Sequence, residues 1–162
     1  MDICFPGNTE VSMEGGNKKL LREIKKGDRI ITVDPCSHKA TATEVTALVS
    51  HDEKNYAITH LLLFGADEKQ TTTGMEVNLS AKELNATPNH PIVTTEGDKK
   101  MGDVKEGDEI LCLNKQTGNY EKYFVWNKTE QAGGVQKVYN IETNGGTTFI
   151  MNEVMVLQKG LK

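Results

Sequence analysis

Two fourteen-residue segments of this chain repeat each other, "KLLREIKKGDRIIT" (Lys19–Thr32) and "KKMGDVKEGDEILC" (Lys99–Cys112). Aligned at one constant offset, they share charged positions, a Gly-Asp pair and a following aliphatic run. Solenoid repeats have shorter periods, so the match predicts two half-domains related by pseudo-twofold symmetry. In each half Gly permits the positive φ of a tight turn, Asp favours that turn, and a β-strand follows.

The remaining sequence predicts many short strands and no long amphipathic helix. Apolar or alternating runs predict strands at Thr43–Val49, Tyr56–Phe64, Met75–Leu79, Tyr120–Trp126 and Val138–Thr143. The segment "TTFIMNEVMVLQ" (Thr147–Gln158) predicts a hairpin that turns at Asn152-Glu153. We expect polar loops at 52–55 and 67–74, and one helical turn at "SAKELN" (Ser80–Asn85). The predicted fold class is therefore all-β, with many short strands in two symmetric lobes.

The composition excludes several function classes. A chain of 162 residues, 26% charged and 36% hydrophobic, is long enough for one domain with a buried core. The net charge of −4 comes from interspersed acids and bases, so we expect no nucleic-acid partner. The longest apolar run, Ile58–Gly65, is far too short to cross a bilayer, so we expect no membrane partner. We also expect a monomer.

The three cysteines have different contexts. The sequence has no CxxC motif, and its four histidines lack zinc-ligand spacing, which predicts neither a structural metal nor a cofactor. Cys112 lies in the apolar run "EILCLN" and is expected in the core, whereas Cys36 lies in the polar loop "VDPCSHK". Cys4 fits neither context. Residues 1–3 resemble the remnant of an upstream flank, which makes the Ile3–Cys4 bond a candidate for chemistry.

A second candidate is "NATPNHPIV", residues 85–93. Thr87 and His90 lie three residues apart in a turn stiffened by Pro88, and Pro91 holds His90 in an extended conformation. A hydroxyl and an imidazole in such a turn can polarise one amide. On this stretch alone, a structural loop with a partly exposed histidine explains the residues at least as well.

Together, "CFPGNTEV", "GDRIITVD", "TPNHP" and "FIMNEVMVLQ" resemble the Hint family of inteins and hedgehog autoprocessing domains. The resemblance runs from Cys4 to about Gln158 and is nearest to the bacterial intein-like and hedgehog branches. It implies an all-β horseshoe with pseudo-twofold symmetric halves. It also implies a single Hint-like domain over 4–158, followed by a tail at 159–162.

The resemblance implies self-cleavage in cis on the flanking polypeptide. Cys4 would attack the carbonyl of Ile3, so that the peptide bond becomes a thioester in an N–S acyl shift. The resemblance assigns His90 as the general acid that protonates the leaving nitrogen. It assigns Thr87 as the residue that hydrogen-bonds the scissile amide. In the hedgehog branch an aspartate activates the incoming nucleophile, and "TEVTALVSHDEKN" assigns Asp52 to this role. His51 competes for it, and a charged hairpin tip is the alternative reading.

The end of the sequence departs from the intein pattern. Splicing inteins have His-Asn before Cys, Ser or Thr, whereas this chain has Leu157-Gln158-Lys159. Gln158 is the candidate for a second cleavage, but its six-membered ring forms less readily than the succinimide of Asn. We therefore expect N-terminal cleavage or acyl transfer to water, a thiol or an amine, without efficient splicing.

Two other function classes remain open at this stage. One is a cysteine hydrolase that acts in trans with a Cys4–His90 dyad, although "CFPGNTEV" predicts a turn and strand and not the helix N-terminus such a nucleophile normally occupies. The other is a catalytically silent Hint-fold linker or binding module of a larger surface protein. The sequence leaves the compartment open, a secreted or cell-surface precursor being one option.

Overall fold

The computed structural model describes residues 4–53, 57–114, 118–131 and 136–159. Within these ranges the chain forms fourteen strands, two 3-10 turns at Leu21–Glu23 and Met101–Asp103, and no α-helix. The strands are Phe5–Pro6 (β1), Glu10–Ser12 (β2), Lys18–Leu20 (β3), Arg29–Val33 (β4), Ala40–Glu53 (β5), Ile58–Thr71 (β6), Gly74–Ala86 (β7), Pro91–Thr94 (β8), Gly97–Lys100 (β9), Glu109–Leu113 (β10), Tyr120–Gln131 (β11), Gln136–Thr143 (β12), Thr148–Met151 (β13) and Val154–Leu157 (β14). The described ranges contain no helix long and apolar enough to cross a membrane.

The strands form two curled, antiparallel sheets, so the predicted all-β horseshoe is confirmed. The smaller sheet has the order β1-β12-β5-β4. The larger has the order β3-β2-β13-β14-β8-β10-β11-β6-β7, with β9 paired to β8. Non-consecutive neighbours such as β1 and β12 bring the N-terminal strand beside a strand from the second half of the chain.

The repeated Gly-Asp turns have the same backbone geometry. Gly27 has φ 95° and Gly107 has φ 91°, a region in which only glycine is free of steric cost. The N–H of Gly27 donates to the carbonyl of Val45 at 2.9 Å, and the N–H of Gly107 donates to that of Val125 at 2.9 Å. Both turns are therefore fixed against the second strand of their own repeat.

The aspartates of the two turns repeat the same contacts. Asp28 accepts hydrogen bonds from Lys19 Nζ at 2.7 Å and from the backbone N–H three residues earlier at 3.0 Å. Asp108 accepts them from Lys99 Nζ at 3.2 Å and from the equivalent N–H at 2.9 Å. Burial alone would raise the pKa of each carboxyl, but these donors and the lysine charges hold both pKa values below the ordinary value.

The two halves exchange strands with each other. Val45 of β5 lies opposite Thr143 of β12, and eighty positions later Val125 of β11 lies opposite Leu63 of β6. Each ladder has a register shift at this point. Because β5 pairs with the second half and β11 with the first, neither half completes its sheet alone.

One main core cluster joins residues from Phe5 to Val156, including Val45, Leu61 and Tyr123. Hydrophobic side chains from both halves contribute to it, as expected when the two halves exchange strands. A much smaller cluster consists of Cys4, Ile58 and Val138. Phe5 of β1 thus belongs to the main core, and the preceding residue, Cys4, belongs to the small cluster.

The longest hairpin contradicts two sequence-based expectations. The predicted polar loop at 67–74 is wrong, because β6 continues to Thr71 and β7 begins at Gly74. The predicted helical turn at Ser80–Asn85 is also wrong, because these residues pair along β6. Burial in this stretch alternates with a period of two, at Lys82, Leu84 and Ala86, so the strand partner overrides local helix propensity.

The predicted loop at 52–55 falls partly in a strand. Asp52 and Glu53 complete β5, while 54 and 55 lie outside the described residues. The predicted flank at 1–3 and most of the predicted tail, 160–162, also lie outside them. The domain limits at 4 and 158 therefore stay predictions.

The C-terminal hairpin turns where the sequence predicts. Asn152 has φ 50° and Glu153 has φ 67° between β13 and β14, the left-handed pair typical of a tight two-residue turn. The Glu153 carboxylate binds Lys18 Nζ at 2.9 Å and Lys82 Nζ at 3.0 Å. These ion pairs connect the hairpin to β3 and β7, which offsets the steric cost of a non-glycine residue at this φ.

The repeated turns give a stability prediction. Asp28→Asn and Asp108→Asn should each lower the free energy of unfolding by about 1–2 kcal/mol at pH 7, because each removes charge-assisted hydrogen bonds. Both carboxyls have lowered pKa values, so their contribution is present above about pH 4 and is lost as the pH falls below it. Urea unfolding at several pH values measures the difference.

The matched control is Asp98→Asn, at an exposed position of β9. It should change stability by no more than about 0.5 kcal/mol. Equal effects of all three substitutions would contradict the structural role of the two turns.

Candidate functional site

Cys4 immediately precedes β1 and is completely buried. Phe5 pairs with Tyr139 and Pro6 with Val138 across β1 and β12. Phe5 enters the main core, whereas Cys4 belongs to a small separate cluster with Ile58 and Val138. A thiol at this place is shielded from bulk solvent.

Two hydrogen bonds join the backbone of Cys4 to the side chain and the backbone of Thr87. The N–H of Cys4 donates to Thr87 Oγ1 at 3.0 Å, and the N–H of Thr87 donates to the carbonyl of Cys4 at 3.0 Å. Thr87 is fully buried. Since the Cys4 nitrogen belongs to the Ile3–Cys4 amide, the hydroxyl of Thr87 contacts the peptide bond that the sequence predicts to be cut.

The turn after β7 holds His90 next to this pair. The N–H of His90 donates to the carbonyl of Thr87 at 3.0 Å, and the carbonyl of His90 accepts from the N–H of Met101 at 2.8 Å. The imidazole packs on the ring of Phe5, with 4.1 Å between ring centroids. His90 is therefore fixed by its backbone and by its ring beside the residue that follows Cys4.

The hydrogen bonds of His90 define its tautomer. Nε2 lies 3.0 Å from the carbonyl oxygen of Leu157. A carbonyl can only accept, so Nε2 carries the proton and Nδ1 has the lone pair. Nδ1 is buried without a hydrogen-bond partner among the described residues. The structure thus leaves one nitrogen of the ring available for proton transfer.

Burial strongly changes the acidity of His90. It lowers the pKa to about 3 from the ordinary value of 6.5, and the bond to the Leu157 carbonyl opposes this only in part. The imidazole is therefore neutral at pH 7. Nδ1 can therefore accept a proton, but at pH 7 it carries none that it could donate.

Gln158 lies at the end of β14 and is almost completely buried. Its Oε1 accepts from Thr143 Oγ1 at 3.0 Å. Its Nε2 donates to the carbonyls of Gly145 at 3.2 Å and Thr148 at 3.0 Å. Every hydrogen-bonding group of the carboxamide except one lone pair is therefore used in holding the last hairpin.

Asp52 is not brought to the other predicted residues. It is exposed on β5, opposite Lys137 of β12, and His51 is opposite Val138. Extending the β1–β12 register places Cys4 across from Asn140, three residues further along β12. Asp52 is thus separated from Cys4 by three residues along the strands, about 10 Å, and by two strand spacings across the sheet, also about 10 Å. Asp52 is therefore remote from Cys4.

Sequence reasoning missed the partner of the imidazole. It is the backbone carbonyl of Leu157, a group that every residue has, so residue type carries no signal for it. The only available signal was the position of Leu157 at the end of the predicted final hairpin. In the described part of the chain no three His, Cys, Asp or Glu side chains are grouped to hold a metal ion.

Comparison with families and curated proteins gives matches at two levels. A family model described as the Hint module matches residues 1–90, more than half of the chain. DNA-directed RNA polymerase III subunit rpc2 of Dictyostelium discoideum is 27% identical over 114 residues, or 70% of this chain and 6% of that protein. DNA-directed RNA polymerase subunit Rpo1N of Methanocaldococcus jannaschii is 28% identical over 111 residues, or 67% of this chain and 7% of that protein. The chain thus spans less than a tenth of these curated relatives.

Several solved structures share the fold. The bacterial intein-like domain from Clostridium thermocellum has a TM-score of 0.73 at 21% identity, covering 95% of this chain and 97% of that one. The Ssp DnaB mini-intein variant M86 has a TM-score of 0.73 at 17% identity, covering 100% and 97%. A DnaB intein from Synechocystis sp. PCC 6803 has a TM-score of 0.69 at 16% identity, covering 98% and 99%.

The buried histidine gives a prediction about protonation. With a pKa near 3, the His90 ring should stay neutral, protonated at Nε2, from pH 8 down to about pH 4. Nitrogen-15 NMR of the imidazole measures both the charge and the tautomer. The same histidine in urea-unfolded protein should titrate near pH 6.5. A charged ring at pH 6 in the folded protein would contradict the assignment.

Proposed function

This chain belongs to the Hint family, and from this we propose that it cuts the peptide bond before Cys4 in cis. The family match and the shared fold support an autoprocessing-type domain in general. The observation that carries the finer proposal is the Cys4–Thr87 pair beside a neutral His90 with an unpartnered Nδ1. A nucleophile, a contact to the scissile nitrogen and a proton acceptor are thereby gathered in one buried region.

In the proposed first step, the sulfur of Cys4 attacks the carbonyl carbon of the preceding residue. An S–C bond forms and the C–N bond breaks, which leaves a thioester and the free amino group of Cys4. The hydrogen bond to Thr87 Oγ1 holds the amide nitrogen in place during the attack. Positioning of this kind makes a large contribution to intramolecular reactions.

The protons move through His90 in this scheme. A thiol must lose its proton to become a good nucleophile, and an amine leaves only when protonated. Neutral His90 takes the thiol proton at Nδ1 and then delivers it to the leaving nitrogen. The histidine thus acts first as a base and then as the general acid that the sequence suggested, which its low pKa in the resting state requires.

The thioester is then released by water, a thiol or an amine. The amide is more stable than the thioester, so the first step is uphill and product accumulates only when a nucleophile drains the intermediate. The complete burial of Cys4 disfavours the rival hydrolase acting in trans, because a free substrate would have no path to the sulfur.

The same proposal excludes efficient splicing. Cleavage after Gln158 requires its Nε2 to attack its own backbone carbonyl, but that nitrogen donates to two carbonyls of the hairpin. Leu157 offers no imidazole to assist, and Lys159 has no hydroxyl or thiol to accept the acyl group. The domain therefore releases its upstream partner without joining the two flanks.

The proposal predicts thiol-induced release. In a fusion with a longer upstream segment, excess dithiothreitol or hydroxylamine near neutral pH should liberate that segment and leave a chain beginning at Cys4, measured by intact mass. Cys4→Ala should abolish release, because no acyl link can form. His90→Ala should slow it by about a hundredfold or more, the usual contribution of a positioned acid–base group.

Cys36→Ser is the matched control, since it removes an exposed cysteine and should leave the rate unchanged. Release from Cys4→Ala at the wild-type rate would identify ordinary proteolysis and refute the proposal. A wild-type fusion that stays intact would favour the silent Hint-fold module.

A second prediction concerns the other end. In a fusion extended beyond Lys159, the same treatment should leave the Gln158–Lys159 bond intact, because the Gln158 carboxamide is held by three hydrogen bonds. Mass spectrometry of the downstream fragment tests this. A fragment that begins at Lys159, or a joined product of both flanks, would show that the carboxamide escapes the hairpin and cyclises.

A further inference from the structure

The turn at 87–90, called the site turn below, has a counterpart at 6–9, called the N-terminal turn. In both, the N–H of the last residue donates to the carbonyl of the first, at 3.0 Å in the site turn and at 3.2 Å in the N-terminal turn. Each turn leads into a short strand that forms a hairpin, β8 with β9 and β2 with β3. The pseudo-twofold symmetry of the fold therefore relates the two turns.

The second 3-10 turn binds the site turn at two points. The N–H of Met101 donates to the carbonyl of His90 at 2.8 Å. The N–H of Gly102 donates to the carbonyl of Pro88, also at 2.8 Å. The carbonyl of Gly102 in turn accepts a hydrogen bond from Lys128 Nζ of β11. Gly102 therefore links the site turn to the large sheet.

The first 3-10 turn binds the N-terminal turn in the same way. The N–H of Arg22 donates to the carbonyl of Gly7 at 3.0 Å, and the preceding N–H donates to the last carbonyl of the turn at 2.8 Å. Arg22 is therefore equivalent to Gly102, and Gly7 is equivalent to Pro88. Each contact has glycine on one side, but on opposite sides in the two halves of the domain.

The two backbones approach too closely for a side chain on both sides. A Cβ on Gly102 would lie 3.2 Å from the Cβ and 3.2 Å from the carbonyl oxygen of Pro88, and a Cβ on Gly7 would lie 3.1 Å from that of Arg22. Carbon atoms pack best at about 3.5–4.0 Å. The ring of Pro88 fixes its φ, so a side chain at position 102 would displace the whole turn by a few tenths of an ångström.

A displaced Pro88 would disturb the contacts of both of its functional neighbours. Thr87 Oγ1 accepts the N–H of Cys4 at 3.0 Å. His90 Nε2 lies 3.0 Å from the carbonyl oxygen of Leu157. Thr87 and His90 belong to the same turn as Pro88, so both distances depend on where the second 3-10 turn holds it.

We infer that Gly102 is a positioning residue for the proposed cleavage. Its missing side chain lets the second 3-10 turn hold Thr87 and His90 at their distances from the N-terminal residue and the last strand. This inference rests on the proposed function. Gly102 makes and breaks no bond itself and acts only through the site turn.

The test measures the first-order rate of dithiothreitol-induced release in the upstream fusion at pH 7.5. Gly102→Ala should slow release by about three- to tenfold, because a misplacement of about 1 Å costs about a hundredfold and the expected shift is a fraction of that. Gly145→Ala is the matched control and should keep the wild-type rate. Gly145 is exposed and lacks a left-handed φ, and the atom nearest to its added Cβ, Thr43 Oγ1, is 3.8 Å away.

A second substitution tests the contact itself. Pro88→Gly places glycine opposite position 102, as Gly7 is opposite Arg22 in the other half. In this background Gly102→Ala should change the release rate by less than about twofold, because residues that act through one contact are not additive. Equal slowing by Gly102→Ala in both backgrounds would show that its effect does not pass through Pro88 and would overturn the inference.

Nitrogen-15 NMR of His90 separates positioning of the ring from a general loss of stability. The ring resonances should shift in Gly102→Ala and stay at their wild-type positions in Gly145→Ala. Slow release from Gly102→Ala with unchanged His90 resonances would assign the glycine a structural role only. Release at the wild-type rate would overturn the inference whether or not the resonances shift.

Thermal unfolding shows whether Gly102→Ala keeps the fold, and Lys128→Met decides the outcome if it does not. Lys128→Met removes the hydrogen bond to the Gly102 carbonyl without adding a clash, and it should slow release by about three- to tenfold for the same reason. Wild-type release from it would then overturn the inference. A wild-type fusion that does not release would refute the proposed function together with this inference, whereas normal release from Gly102→Ala would refute this inference alone.

Discussion

The reciprocal hydrogen bonds between Cys4 and Thr87 are the contact on which the geometry of the site depends. They join the first described strand to a turn eighty-three residues later and use both backbone groups of Cys4. Pairing with β12 is assigned to the next two residues, Phe5 and Pro6. This one contact therefore places Phe5, the residue that follows Cys4, against the ring of His90.

Strand exchange explains why such a site lies between the two halves. Neither half completes its sheet without a strand from the other, so the chain must cross between them near the middle. The N-terminal strand, the turn at Thr87–His90 and the end of β14 meet in this region. A fold of this symmetry places the two ends of the domain close together, which suits a domain that acts on the polypeptide attached to it.

Residues whose role depends on local chemistry could be predicted, and those whose role depends on pairing could not. The Gly-Asp turns were predictable because a positive φ favours glycine and a carboxylate that accepts backbone N–H groups favours aspartate. Ser80–Asn85 were misread as helical because only the partner strand β6 reveals their period of two. Asp52 was placed near the site by resemblance, but the register of β5 and β12 carries it away. The role of the Leu157 carbonyl as the partner of His90 follows only from the assembled sheets.

The complete burial of His90 limits how readily the imidazole can take up a proton in the proposed reaction. In the proposed mechanism, transfer of the thiol proton to Nδ1 creates a thiolate and an imidazolium where burial has lowered the imidazole pKa to about 3, so the ion pair is costly without nearby polar groups. The Leu157 carbonyl offsets part of that cost by stabilising the charged ring. In the proposed attack, the negative charge of the thiolate moves on to the carbonyl oxygen of the scissile bond. Because the Leu157 carbonyl belongs to the last strand, the C-terminal hairpin contributes to the basicity of the histidine that lies beside Thr87 and Phe5. In the proposed mechanism this contact couples the chemistry at the N-terminal bond to the other end of the domain.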